Sequence, residues 1–200
     1  MSCSVALILI GFQNDYFAAD GILRSVIDQA VPVDRILDST VQVVRGAIAH
    51  GVPTIATPIF FTPTYEELLD PVGILKTVRD VGAFQAGQKG AEMVEALLPF
   101  HDQIWVVPGK RGLNAFTGTS LHELLQKHQI THVVLAGAVT SVCIDSTGRA
   151  AHEKGYRVSV LADCTCARTQ FEQEFYLENV FPLYANVISA ESFLESLADV

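Results

Sequence analysis

Apolar residues fall along this chain in two alternating patterns. Short unbroken runs rich in Val, Ile and Leu cover residues 4–10 (SVALILI), 52–57, 104–107, 131–136, 157–162 and 186–188. Such runs, bounded by Gly, Pro or polar clusters, predict buried strands. Between them lie stretches with apolar positions at helical spacing. In residues 33–50 the positions Ile36, Leu37, Val41, Val44 and Ile48 form one stripe, stopped by Gly51. Weaker helical patterns cover 91–98, 120–128, 141–154, 170–181 and 191–197. Residues 60–88 have no clear period and are rich in Gly, Pro and aromatics, which suits a binding loop or lid. No repeat, low-complexity tract or linker interrupts the series, so a single domain spanning 1–200 is expected.

Strands alternating with helices predict an α/β fold: a mostly parallel six-stranded sheet covered by helices on both faces, a Rossmann-like three-layer arrangement. In such sheets ligands bind beyond the carboxyl ends of the strands, near the point where strand order reverses. That rule sorts the chemistry-bearing residues. Gly11–Asp15 follow strand 1, Lys110 follows strand 3, Cys143 follows strand 4, and Asp163, Cys164 and Cys166 follow strand 5. His50, His101 and His132 fall at the opposite edge. His152 is nine residues beyond Cys143 on the same expected helix, about 13 Å away at 1.5 Å per residue. A Cys–His dyad is therefore not expected.

Composition narrows the partners. Half the residues are hydrophobic, enough for a substantial core, and the formal net charge is −9 with no basic cluster. This argues against nucleic acid or an anionic membrane surface and leaves a small molecule as the expected partner. The first apolar stretch is too short for a membrane span or a signal peptide's apolar region. Four cysteines (Cys3, Cys143, Cys164, Cys166) do not suggest a disulfide scaffold, so a cytoplasmic, reduced protein is expected.

Cys143 sits where an apolar strand gives way to a helix, in LAGAVTSVCID. Near a helix start, unpaired backbone N–H groups and the positive end of the macrodipole favour negative charge, and the thiolate is the nucleophile. The alternative is a small hydrophobe packed under the sheet. Lys110, in VVPGKR, is the best-placed cation to pair with the sulfur; otherwise it is a solvated surface lysine.

Together these segments resemble the isochorismatase-like cysteine hydrolases, the superfamily that includes nicotinamidase and N-carbamoylsarcosine amidohydrolase. The opening strand with Gln13-Asn14-Asp15-Tyr16-Phe17 is similar to the family's first motif, Lys110 followed by NAFTGTSL to its lysine motif, and GAVTSVCIDST with the continuation to Gly155-Tyr156 to its nucleophile motif. The resemblance implies that Cys143 attacks an amide carbon to form a thioester while Lys110 assists. It also implies a cis peptide at Ala138–Val139 and an oxyanion hole made by the Val139 and Cys143 N–H groups. A homo-oligomer, dimer or tetramer, is implied as well.

The chain departs from that pattern at one position. The family's strand-1 aspartate falls on Gly11, which cannot take a proton. Asp15 replaces it only if the loop folds back toward Cys143. Otherwise the base comes from substrate or water, the chain has a non-catalytic binding role, or the aspartate has been removed by engineering. With no placed acid, Cys143 is expected to alkylate readily while amide hydrolysis is slow. The family's metal-binding histidines after strand 2 are missing from FFTPTYEE, so neither metal nor cofactor is expected; Asp163, Cys164 and Cys166 lack a fourth ligand. Phe12, Gln13, Tyr16, Phe17, Phe60, Phe61, Tyr65, Phe116 and Ala138 are the candidate pocket, and Arg111 or Arg168 could hold a carboxylate. A nucleotide-binding oxidoreductase is disfavoured, because no G-x-G-x-x-G turn follows strand 1.

Overall fold

Each of the six apolar runs forms a strand in the computed structural model, which describes residues 4–198. The strands are β1 (Val5–Ile10), β2 (Thr54–Thr57), β3 (Ile104–Val106), β4 (His132–Ala138), β5 (Arg157–Cys166) and β6 (Asn186–Ile188). They form one parallel sheet in the order β3-β2-β1-β4-β5-β6. The helices are α1 (Asn14–Phe17), α2 (Arg24–Ile27), α3 (Val33–Ala49), α4 (Gly73–Val81), α5 (Leu121–Lys127), α6 (Asp145–Glu153), α7 (Gln170–Phe175) and α8 (Ala190–Ala198).

Two cores result. α3 turns Val33, Ile36, Val43, Val44 and Ala47 onto one face of the sheet, joined by Phe193 of α8. The other face is covered by Leu121 and Leu125 of α5, by Ile144 and Ala151, and by Phe181. Each fully buried side chain of this size contributes about 1.5–3 kcal/mol of transfer free energy.

The strand order reverses between β1 and β4, and the crevice expected there is set by a glycine. Gly137 pairs with Ile10, and a Cβ on it would lie 1.8 Å from the Ile10 carbonyl oxygen. Its φ of +127° adds a backbone reason for glycine. The two strand ends can approach only because no side chain stands between them.

Several boundaries differ from the sequence pattern. Residues 91–98 do not form an α-helix; the chain makes a 3-10 turn at Lys89–Ala91 and a 3-10 helix at Glu95–Gln103. Pro99, inside the latter, lacks an N–H and clashes with an α-helical backbone. The irregular 60–88 stretch contains α4, whose apolar face buries only Val78 and so leaves a faint periodic signal. β5 runs to Cys166 rather than stopping at residue 162, with a register irregularity against β4 between Leu135 and Gly137. The expected helix 170–181 stops being α-helical after Phe175, continuing as a π-helical turn at Tyr176–Val180 and a 3-10 turn at Phe181–Leu183. Cys3 lies outside the described residues.

Candidate active site

β4 ends at Ala138, and the Ala138–Val139 peptide is cis. The chain then enters a π-helical turn, Thr140–Ile144, before α6 begins. The wider turn is seen in the Ile144 N–H, which donates to the Val139 carbonyl five residues back, at 3.2 Å. Single π-turns occur often at functional positions. Here the turn carries Cys143, which is 4% exposed. Among the described residues no hydrogen bond is made by the Val139 N–H, although Val139 is fully buried.

Lys110 follows β3, and its backbone bridges to Ile59 just beyond β2. Its side chain is fully buried. The ammonium donates to the Gly112 carbonyl at 2.6 Å and lies 3.5 Å from Cys143 Sγ. The sheet therefore brings together the two residues that sequence reasoning placed at one edge from different strand ends. A thiol and an ammonium buried in contact form a potential ion pair in a low-dielectric site, where such a pair is far stronger than in water.

Gly11 is at the adjoining end of β1, with φ +74°. A Cβ built on it would lie 3.0 Å from the Ala138 carbonyl oxygen and 3.6 Å from a ring carbon of Tyr16. The position is thus beside the turn that carries Cys143, and no carboxylate occupies it. Asp15 does not fold back to replace one. Its Oδ2 accepts from the Phe84 N–H at 2.6 Å, and the carboxylate packs against Gly90. Burial raises the Asp15 pKa, and the Phe84 hydrogen bond opposes that. Tyr16 is buried, its ring tilted on Phe84. Burial raises the phenol's pKa well above the usual value, and the nearby Cys143 sulfur adds to the effect.

The expected aromatic pocket is not one pocket. Phe12, Gln13 and Phe60 line a mostly apolar cavity of about 170 Å³, with Leu9, Gly11 and Leu97. The Gln13 amide is not free for a ligand: it donates to the Ile59 and Ala91 carbonyls and accepts from the Ile59 N–H. Phe17, Phe61 and Tyr65 belong to the core, where Phe17 stacks on Phe12 and Phe61 packs against Tyr65. Phe116 stacks on Tyr156 beside Lys154, just before the start of β5 and so away from the carboxyl ends of the strands. Ala138 is buried at the end of β4. A larger, open groove reaches the nucleophile's turn at Ser141 and Val142 and runs past Leu113, Arg168 and Phe171. Arg168 is paired with Glu172 and Arg111 with Glu67.

Sequence reasoning missed the supports of the turn. Thr140 Oγ1 donates to Gln173 Oε1 at 2.7 Å, and Gln173 Nε2 donates to the carbonyl and hydroxyl of Thr165 at 3.1 and 3.2 Å. The Ser141 hydroxyl bonds Glu172. The only local signal was Thr169, whose side chain caps α7 by accepting from the Glu172 N–H. Asp163 accepts from the Ala190 N–H at the start of α8. Cys164 and Cys166 point into the core, and burial pushes the Cys164 thiol up to about 12. No group of three or more His, Cys, Asp or Glu side chains among the described residues is arranged to hold a metal ion. No helix among them is long and apolar enough to cross a membrane.

Residues 5–192 match the isochorismatase domain. An isochorismatase family protein of Bacillus subtilis is 25% identical over 54% of this chain and 59% of its own length. The ureidoacrylate amidohydrolase of Serratia proteamaculans is 29% identical over 96% of this chain and 82% of its own length. A cysteine hydrolase from Pseudomonas syringae pv. phaseolicola superposes with a TM-score of 0.86 at 18% identity, covering 98% of this chain and 93% of that one. At that identity the likeness concerns the fold.

Proposed function

The chain belongs to the isochorismatase family of hydrolases, and from that premise we propose that it hydrolyses a C–N bond in a small amide through a Cys143 thioester. The observation that carries the reading is the buried contact between the Lys110 ammonium and Cys143 Sγ, 3.5 Å apart at the carboxyl edge of the sheet. Sulfur attacks the carbonyl carbon, and the developing oxyanion is received by the N–H groups of Val139 and Cys143. The absence of any other partner for the buried Val139 N–H among the described residues supports that role. Donors aimed at charge that appears only in the transition state are among the strongest contributions to catalysis. The amide specificity of the Serratia relative supports the substrate class. Small primary amides and ureido acids are the compounds to assay, by release of ammonia. Release is expected to vanish in Cys143→Ala; release unchanged in that variant removes the thiol from the mechanism.

Gly11 favours a second reading, a member of the family that binds a small molecule without turning it over. Saturable binding with no product after hours, the thiol being intact, is its signature. We also read the protein as a homo-oligomer, because Leu69, Val72 and Phe171 are large apolar side chains left 91%, 79% and 76% exposed. Light scattering on the purified protein tests this.

A further inference from the structure

We infer that Lys110 is both the general acid and the general base of the reaction, a task left to it by the glycine at position 11. The inference rests on the amide-hydrolase reading. Its starting point is electrostatic. Lys110 is fully buried, and among the described residues no carboxylate lies within ion-pair distance of its ammonium. A buried charge without a counter-ion is strongly unfavourable. Among those residues the only side chain its ammonium contacts is Cys143, whose thiolate form would supply the opposite charge. Attack on an amide carbon removes that partner, since a thioester sulfur is neutral. The ammonium is then isolated unless it gives up a proton. The departing nitrogen, meanwhile, cannot leave as an amide anion and needs one.

One transfer meets both needs. Thiolate and ammonium react with the amide to give the thioester, neutral Lys110 and the free amine: the C–S bond forms, the C–N bond breaks, and one Lys110 proton goes to the leaving nitrogen. An ammonium has three donors. The bond to the Gly112 carbonyl holds the nitrogen in place, and the N–H directed at sulfur is the one released, because an acylated sulfur is a poor acceptor. In the second half, neutral Lys110 takes a proton from water as the oxygen attacks the thioester. Collapse expels the thiolate, releases the carboxylic acid and restores the ammonium. Atoms and protons balance with water as the only co-reactant.

The other titratable groups nearby are engaged or unsuited. The Asp15 carboxylate accepts from the Phe84 N–H. Glu172 is held by Ser141 and Arg168. Tyr16, its phenol kept protonated by burial and by the Cys143 sulfur, is no base near neutral pH. Of these groups Lys110 alone touches the reacting atom.

Lys110→Arg separates charge from proton transfer, because a guanidinium keeps its proton in proteins. Amide turnover is expected to fall by about 100-fold or more, the usual scale for loss of a general acid–base group. With p-nitrophenyl acetate, whose leaving group departs without a proton, the variant is expected to accumulate an acetyl thioester on Cys143, read by intact mass, while the wild-type protein turns over. Amide hydrolysis by Lys110→Arg within about threefold of wild type shows that the ammonium acts by charge alone and overturns the inference. If arginine does not fit and the variant misfolds, Lys110→Ala serves instead. Propylamine should restore turnover and tetramethylammonium, of equal charge but with no proton, should not; rescue by both or by neither overturns the inference. Failure of the parent reading has a different signature: the wild-type protein then forms no acyl adduct on Cys143 and releases nothing from any amide.

Discussion

Replacing Gly11 with aspartate inserts a carboxylate at the end of β1, beside the nucleophile's turn, and the local geometry sets the cost. The backbone there has φ +74°, where an L side chain costs roughly 1–2 kcal/mol, toward the lower end for aspartate. The new Cβ would lie 3.0 Å from the Ala138 carbonyl oxygen. That oxygen belongs to a strand flanked by β1 and β5 and cannot retreat freely. Relieving the contact by bond-angle distortion costs about 1 kcal/mol. The carboxylate itself enters a site closed by the Tyr16 ring, at a further cost of about 1–3 kcal/mol unless it reaches the Lys110 ammonium. The expected loss is about 3–5 kcal/mol, out of a typical domain stability of about 5–15 kcal/mol. Urea unfolding of the wild type, Gly11→Ala and Gly11→Asp measures this. Alanine should report the backbone and contact part alone, about 2–3 kcal/mol. Amide turnover by Gly11→Asp should not exceed that of the wild type. An aspartate variant as stable as the parent and at least about tenfold faster would refute the reasoning, showing a scaffold that lacks only its carboxylate.

Gln173→Leu leaves Thr140 and Thr165 without their buried partner and should lower kcat more than it raises KM, with a stability loss of about 1–3 kcal/mol. Thr140→Val should add little to it in a double-mutant cycle, and full additivity would show that the two act independently. His132, hydrogen-bonded to Ser159, is held neutral by burial and by Arg157, its pKa lowered from 6.5 to about 4. The folded state therefore binds a proton less readily than the unfolded one, so this contribution is intact above pH 6.5 and is lost as pH falls toward 4. Discounted for partial exposure, the loss is about 1–2 kcal/mol; a His132→Gln variant should show a flatter urea midpoint between those pH values, and an unchanged slope counts against the assignment. Iodoacetamide on the native protein should reach Cys143 and spare Cys164 and Cys166, which are fully buried; peptide mapping that finds Cys164 modified before unfolding contradicts the packing.

Strand positions and the edge on which the chemistry gathers were legible because a buried parallel strand imposes an unbroken apolar run. Cys143 and Lys110 could be placed directly, since each follows the carboxyl end of such a run within a few residues. What the sequence hid was direction. By their place after β1 Gln13 looks like a pocket residue and Asp15 like a substitute base, yet both side chains hold loops by hydrogen bonds to backbone. Phe116 comes soon after Lys110 in sequence but is carried to the other end of α6 by the turn between them. Gln173 and Glu172 sit on a short helix whose periodicity says nothing about hydroxyls on another element. Residues 91–98 misled because helical spacing does not distinguish a 3-10 helix from an α-helix, and Pro99 was the clue.

The clamp made by Gln13 and its neighbours has a consequence for how this scaffold changes over time. Gln13 binds the backbone at both Ile59 and Ala91, Asn14 binds Lys89, and Asp15 binds Phe84. The excursion between β2 and β3 is therefore tied to the end of β1 at its root on either side. Between those ties Phe61, Tyr65, Val78 and Phe84 are anchored in the core, and only the exposed positions of α4 and the turns beside it are free to vary without disturbing the sheet. Doubling such a loop costs only about 0.6 kcal/mol in closure entropy. New contacts at the mouth of the site can therefore be acquired at the groove-lining start of α4, Val72 to Leu75, beside Ser141 and Val142, while the anchored core residues, the thiol and the ammonium stay in place.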